Sequence, residues 1–110
     1  MKKEPYRDYA TMALREWAAA GRPSAEEAGE VYSGAVLADM VACAAAFREL
    51  SPEICDAVRA VYMVPGPIGK GELTGRVVRF SAEHYISETQ VWVWLGKARR
   101  LFALRRGLRV

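Results

Sequence analysis

The stretch that decides the fold spans residues 86–107 and reads ISETQVWVWLGKARRLFALRRG. Ser87, followed three residues later by Gln90, matches a capping box, whose two side chains satisfy free backbone N–H groups at a helix start. Gly107 is suited to ending that helix, since glycine readily takes the left-handed conformation found there. Apolar residues recur between these ends at helical spacing, which predicts one long amphipathic helix. Its predicted inner face comprises Val91, Trp94, Leu95, Ala98, Leu101, Phe102 and Arg105.

Charge is distributed unevenly along the chain, although the net charge is only +3. Residues 1–64 carry seven Lys or Arg and ten Asp or Glu, a net of −3, whereas residues 65–110 carry nine and three, a net of +6. From Lys97 onward there are six cations and no acid. This pattern favours an anionic partner such as nucleic acid, and a solvated basic tail is the alternative.

Length and composition predict one soluble domain. The 110 residues suffice for a single core, and 52% hydrophobic with 26% charged residues is ordinary for a globular protein. No apolar run is long enough to cross a membrane, and the N-terminus lacks a secretory pattern, so we expect a cytoplasmic location without membrane partners. Two cysteines are too few for a disulfide framework or a zinc cluster.

The spacing of apolar residues predicts an all-α fold of about five helices, because no segment alternates with the period of a strand. We expect helices at 6–20, at 35–50 after a Ser33 cap, at 52–63 after a Ser51 cap, at 72–85, and after Ser87. The acidic connector before Ser33 contains a second capping box, Ser24 with Glu27, so part of it is predicted to be helical. The helix at 35–50 is apolar nearly all round, which predicts a core position or, alternatively, a homodimer contact.

The last two predicted helices fit a C-terminal helix-turn-helix with a long recognition helix. Phe80 and Ser81 provide the apolar and small residues of the first helix, and Ile86 provides the apolar residue after the turn. Tyr85 occupies the turn position that most often holds glycine, and a positive φ there would cost about 1 kcal/mol. Residues 1–110 are thus predicted to form a single domain, with N-terminal helices and core at 1–64 and the helix-turn-helix with its basic tail at 65–110.

A recognition helix presents its outward residues to the DNA major groove. In this chain Thr89 and Gln90 could bond base edges, Glu88 could accept from cytosine, and Val93 could contact a thymine methyl. Trp92 is predicted to face outward as a backbone or protein contact, or alternatively to pack on an N-terminal helix. The predicted phosphate contacts are Arg76, Arg79, Lys97 and Arg100.

Residues 86–91, ISETQV, and 95–100, LGKARR, resemble the final helix of sigma-factor region four, whose pattern is Ile-Ser-x-x-Thr-Val and then Leu-x-Arg-Ala-Arg. Residues 50–53 and 58–62 resemble the helix that precedes it in that family. With the tryptophan-bearing segment 15–18, the chain is more similar to bacteriophage antitermination protein Q and related small late-gene regulators. This resemblance implies a DNA-bound factor that engages RNA polymerase or a sigma factor near a late promoter and allows reading through terminators.

Other chemistry is not predicted. His84 is the only histidine and has no cysteine at zinc-ligand spacing. Residues 66–71, GPIGKG, lack both the glycine spacing and the Ser or Thr of a phosphate-binding loop. Since no nucleophile–base set or apolar carboxylate pair can be assembled, we expect no enzyme, metal or cofactor. The alternative to DNA reading is a protein-interaction module that docks on RNA polymerase, a sigma factor or a second copy.

Overall fold

The structure is a computed structural model that describes residues 4–110. Helices form the architecture of this range. In this range there are six helices and no strand, which confirms the all-α prediction. The helices are α1 (Arg7–Ala19), α2 (Ala25–Val31), α3 (Gly34–Glu49), α4 (Pro52–Tyr62), α5 (Lys70–His84) and α6 (Glu88–Arg106).

The sixth helix is the short α2, so the prediction of about five helices was too low by one. It forms where the second capping box was expected. Ser24 Oγ accepts from the Glu27 N–H at 3.1 Å, and the Glu27 carboxylate accepts from the Ser24 N–H at 2.9 Å. Hydrogen bonding of the carboxylate to the backbone N–H of Ser24, and then to its side chain, lowers the pKa of Glu27. The box satisfies free donors at both residues and stabilises a helix of seven residues.

One predicted cap and one predicted helix start differ from the observed ones. Ser33 precedes α3 as expected, but its side chain makes no capping hydrogen bond. α5 begins at Lys70, before the predicted Glu72, and continues through Gly75. Glycine inside a helix costs up to about 1 kcal/mol relative to alanine, and the buried Val77 and Phe80 offset that cost by packing in the core.

α6 lies against four other helices, α1, α3, α4 and α5, and its interface with α3 is the most extensive in the described chain. The side chains of Val91, Leu95 and Phe102 are fully buried on its inner face. α3 contributes Cys43 and Ala46 to the same core, so its small residues permit close packing inside the fold. The core therefore combines residues from the N-terminal helices with residues of α5 and α6.

Two arginines fix the loop between α4 and α5. Arg15 donates to the Gly66 carbonyl at 2.9 Å, and Arg76 donates to the carbonyls of Val61 at 2.7 Å and Pro67 at 3.1 Å. Pro65 has no amide to donate to the carbonyl of Val61, four residues earlier in the last turn of α4, and Arg76 supplies a donor in its place. The arginines supply the missing donors and attach the loop to α1 and α5.

Candidate nucleic-acid interface

The connection between α5 and α6 consists of residues 85–87 and is closed by hydrogen bonds to Ser81. Tyr85 adopts the left-handed conformation, with φ 56° and ψ 42°. Both its N–H and that of Ile86 donate to the Ser81 carbonyl, the latter at 3.2 Å. The Ser81 hydroxyl in turn donates to the carbonyl of Ile86. Ser81 was predicted only as a small residue, and it also holds the turn together.

The positive φ of Tyr85 matches the conformation considered for this position in the sequence. Left-handed backbone costs a residue with a Cβ roughly 1–2 kcal/mol, so it persists only where neighbouring interactions impose it. Here the bonds to Ser81 impose it. Among the described residues, Arg22 is the one other non-glycine residue with a positive φ, at 53°.

α6 begins with a hydrogen-bonded cap. The Ser87 Oγ accepts from the Gln90 N–H at 3.0 Å, which satisfies one free donor of the first turn. No return bond from the Gln90 side chain to Ser87 is seen in the described chain, so only half of the predicted capping box forms. Gly107 ends the helix in left-handed conformation, with φ 82°, as expected.

One face of α6 is exposed along nearly its whole length. With 3.6 residues per turn, the residues at 89, 93, 97, 100 and 104 fall on one stripe. All of them are exposed, including Val93 at 46% and Leu104 at 47%. Over this span the stripe is about 22 Å long. We call Thr89, Val93, Lys97, Arg100 and Leu104 the outer stripe.

Three of the six cations from Lys97 onward form ion pairs with acidic residues of the N-terminal part of the chain. Arg105 pairs with Glu49 of α3, and Arg106 pairs with Asp39 at 2.7 Å. Their acidic partners raise the pKa of both guanidinium groups. Arg99 pairs with Glu4. These three contacts occupy cations that the charge count alone assigned to an anionic partner.

Arg99 is the one buried charged residue among the described residues, with 5% of its surface exposed. Its guanidinium donates to the Glu4 carboxylate at 2.5 and 3.0 Å and to the Tyr62 hydroxyl at 2.5 Å. Burial by itself lowers the pKa of Arg99, but the contacts with Glu4 and Tyr62 outweigh it and raise the pKa. The side chain therefore joins the N-terminal segment, α4 and α6 inside the fold.

Lys97 and Arg100 make no ion pair within residues 4–110, and both are exposed on the outer stripe. Arg79 of α5 is likewise exposed and forms no ion pair in that range. Arg76, predicted to face outward, is half-buried because its guanidinium is bonded to the loop carbonyls described above. The predicted phosphate contacts are thus divided into three exposed cations and one that serves the fold.

The predicted base-contact residues also differ in exposure. Glu88 and Thr89 are exposed at the first turn of α6, and Val93 follows them on the outer stripe. Gln90 is half-buried. Trp92 is half-buried and packs against the core.

The sequence did not predict the acidic partners of Arg99, Arg105 and Arg106, which we call the inner arginines. A signal existed for Arg99, because helical spacing places it near Leu95 and Phe102 and away from Arg100. No such signal identified Glu4, which is 95 positions away, or Asp39, which is 67 positions from Arg106. Long-range pairing is determined by tertiary packing and leaves no local pattern.

Residues 4–110 hold no group of three or more His, Cys, Asp or Glu side chains placed to bind a metal ion. Cys43 and Cys55 are free, and burial raises the pKa of both thiols. No helix in this range has the length and apolar character needed to cross a membrane.

Comparison of the chain with models of protein families, with curated proteins and with solved structures finds no match.

Proposed function

We propose that the chain is a DNA-binding regulator of transcription in which α5 and α6 act as a helix-turn-helix and α6 enters the major groove. The observation that carries this proposal is the outer stripe of α6. It presents a hydroxyl, two cations that form no ion pair within residues 4–110, and apolar groups on one face of a helix whose opposite face is buried. The major groove is wide enough to admit such a helix.

The connection between the two helices supports the same proposal. Residues 85–87 form a short turn, and the Ser87 cap fixes where α6 starts. Glu88 and Thr89 are exposed directly after that cap, at the end of the helix that reads bases in proteins of this class. Packing of α5 on α6 gives the pair a common core through Phe80, Ile86 and Val91.

In this proposal the exposed side chains have separate roles. Thr89 and Glu88 bond base edges, with Glu88 accepting from cytosine, and Val93 contacts a thymine methyl. Gln90 pairs with adenine by turning its half-buried amide toward the groove. Arg79, Lys97 and Arg100 bind phosphates and set register. Arg76 contributes indirectly by holding the loop, since its donors are already engaged.

The resemblance to sigma-factor region four and to phage antitermination protein Q extends the proposal to a second partner. It implies that the DNA-bound protein engages RNA polymerase or a sigma factor and acts on late genes. The sequence signature that supports this extension lies in residues 86–100. Trp92 retains some exposure beside the outer stripe and is available for an edge contact with such a partner.

A second candidate function is a protein-interaction module that docks through α6 without reading bases. The observation that favours it is the apolar content of the outer stripe, in which Val93 and Leu104 are 46% and 47% exposed. Exposed apolar residues bordered by cations are also typical of protein-binding helices. The two functions differ in their response to salt and to DNA sequence.

The deciding experiment is a binding titration over a range of salt concentrations. A duplex enriched from a random library by selection on the protein is compared with its scrambled sequence. If three cations contact phosphates, the logarithm of the affinity should fall with the logarithm of salt with a slope of roughly −2.7. Arg100→Ala should weaken both duplexes about tenfold and reduce the magnitude of the slope by about one.

Two further variants separate base reading from charge. Gln90→Ala should weaken the enriched duplex and leave the scrambled duplex nearly unchanged. Arg105→Ala removes the same charge as Arg100→Ala from the same helix, but from a side chain paired with Glu49, and should change DNA affinity less than twofold. Equal effects of Arg100→Ala and Arg105→Ala, or no DNA binding at low salt, would contradict the proposal.

A further inference from the structure

Tyr85 carries a side chain that the fold of the described residues does not use. It is the most exposed of the large hydrophobic side chains in residues 4–110, at 95%, and it occupies a left-handed position that glycine adopts without strain. Its hydroxyl makes no hydrogen bond with the described part of the chain, and its ring does not pack on the core. A strained residue with an unused side chain points to a role outside the fold.

The backbone around Tyr85 fixes the direction in which its side chain leaves the molecule. Its own N–H and that of Ile86 converge on the Ser81 carbonyl, and the Ser81 hydroxyl holds the Ile86 carbonyl. These bonds determine φ and ψ at position 85 and therefore the direction of the Cα–Cβ bond. The Cα–Cβ bond is thus directed into solvent before any partner arrives, and only the side-chain torsions remain to be ordered when the phenol makes a contact.

We infer that Tyr85 is a positioning residue for DNA, donating its phenolic hydroxyl to a phosphate oxygen beside the groove that α6 enters. This inference rests on the proposed function. Tyr85 lies two residues before the Ser87 cap, and the exposed Glu88 and Thr89 follow that cap. Tyrosine is among the side chains that bond phosphate oxygens and fix the register of a protein on a duplex.

The electrical neutrality of the phenol gives this contact a distinctive signature. A cation that binds phosphate displaces counterions and adds to the salt slope, whereas a neutral donor displaces none. Loss of the Tyr85 contact should therefore lower DNA affinity by the same factor at every salt concentration. It should also act equally on enriched and scrambled duplexes, because a phosphate contact carries no base information.

The test uses Tyr85→Gly and Tyr85→Phe in the same salt titration, with Arg22→Gly as the matched control for relief of a positive φ. Glycine fits both positions, so Tyr85→Gly and Arg22→Gly should fold with a melting temperature unchanged or raised by a few degrees. Both Tyr85 variants should bind each duplex about tenfold more weakly, with an unchanged salt slope. Arg22→Gly, in the connector after α1, should bind like the original protein.

The outcomes separate this inference from the function on which it rests. If Tyr85→Gly and Tyr85→Phe bind like the original protein while Arg100→Ala is weakened, the inference is wrong and the DNA-binding proposal stands. If only Tyr85→Gly is weakened, the ring and not the hydroxyl makes the contact, which also overturns it. Loss of RNA polymerase capture with unchanged DNA binding would assign Tyr85 to a protein contact instead. Absence of DNA binding by the unsubstituted protein would contradict both.

Discussion

Arg99 and Arg100 are consecutive residues of α6 with opposite environments. Arg99 is 5% exposed and bonded to Glu4 and Tyr62, whereas Arg100 is exposed on the outer stripe and forms no ion pair within residues 4–110. One step along a helix rotates a side chain by about 100°, which here moves it from the core to solvent. The same residue type therefore serves folding at one position and is available for binding at the next.

This difference changes how the charge of the chain should be interpreted. The sequence shows six cations from Lys97 onward, but Arg99, Arg105 and Arg106 are neutralised by Glu4, Glu49 and Asp39. The acidic N-terminal part of the chain thus binds much of the charge that its basic part appeared to offer an external partner. Of the other three, Lys97 and Arg100 lie on the outer stripe, and their position is more informative than the net charge.

Substitutions on the two faces of α6 should differ most in their effect on the free energy of unfolding. Phe102 is fully buried and Leu104 is 47% exposed. Phe102→Ala should lower the free energy of unfolding by about 4 kcal/mol through lost burial and the cavity left behind. Leu104→Ala should change it by less than about 0.5 kcal/mol. Urea denaturation of both variants measures this, and similar losses would show that the faces are wrongly assigned.

The next effect concerns the two neighbouring arginines. Arg99→Met should cost about 3 kcal/mol of unfolding free energy, because it leaves the Glu4 carboxylate and the buried Tyr62 hydroxyl without their donor. Arg100→Met, the matched control, should stay within about 0.5 kcal/mol of the original protein. Equal denaturation midpoints for the two variants would argue against a structural role for the contacts of Arg99.

The smallest expected effect concerns the exposed pair of Arg105 and Glu49. A hydrogen bond from Arg105 holds the pKa of Glu49 below its usual value. The pair therefore stabilises the fold fully above the unfolded pKa of Glu49, and this contribution is lost as pH falls through the lowered folded pKa. In the Glu49→Gln variant the melting temperature should therefore fall less steeply as the pH is lowered through this range. The same dependence of melting temperature on acidic pH in the variant and in the original protein would contradict a stabilising pair between Arg105 and Glu49.

Much of the helical framework could be predicted from local signals. The serine caps at Ser24, Ser51 and Ser87 form hydrogen bonds to backbone N–H groups, and Gly107 ends α6 as expected. The errors have physical reasons. α2 was not counted because its seven residues make only about two helical turns, too few for a repeated apolar face. α5 was predicted to begin too late because no side-chain cap marks its start at Lys70.

The candidate site was less accessible to sequence reasoning. The helical repeat of 3.6 residues was enough to place Thr89, Val93, Lys97 and Arg100 on one outward face of α6. It could not show that Arg76 bonds the loop carbonyls or that Trp92 packs on the core, since both depend on residues distant in the chain. The left-handed backbone of Tyr85 was foreseeable from its place in the turn, but the bonding of Ser81 that imposes it was not.

The central claim, that the outer stripe of α6 is the binding face, is tested most directly by amide NMR spectra recorded while duplex DNA is added. We predict that the largest shifts occur at Thr89, Val93, Lys97 and Arg100, with little change at Asp39 or Glu49, whose side chains hold the inner arginines. The Tyr85 amide should shift with the stripe. Shifts centred on α1 and α3 with a silent outer stripe, or no shifts at low salt, would contradict the claim.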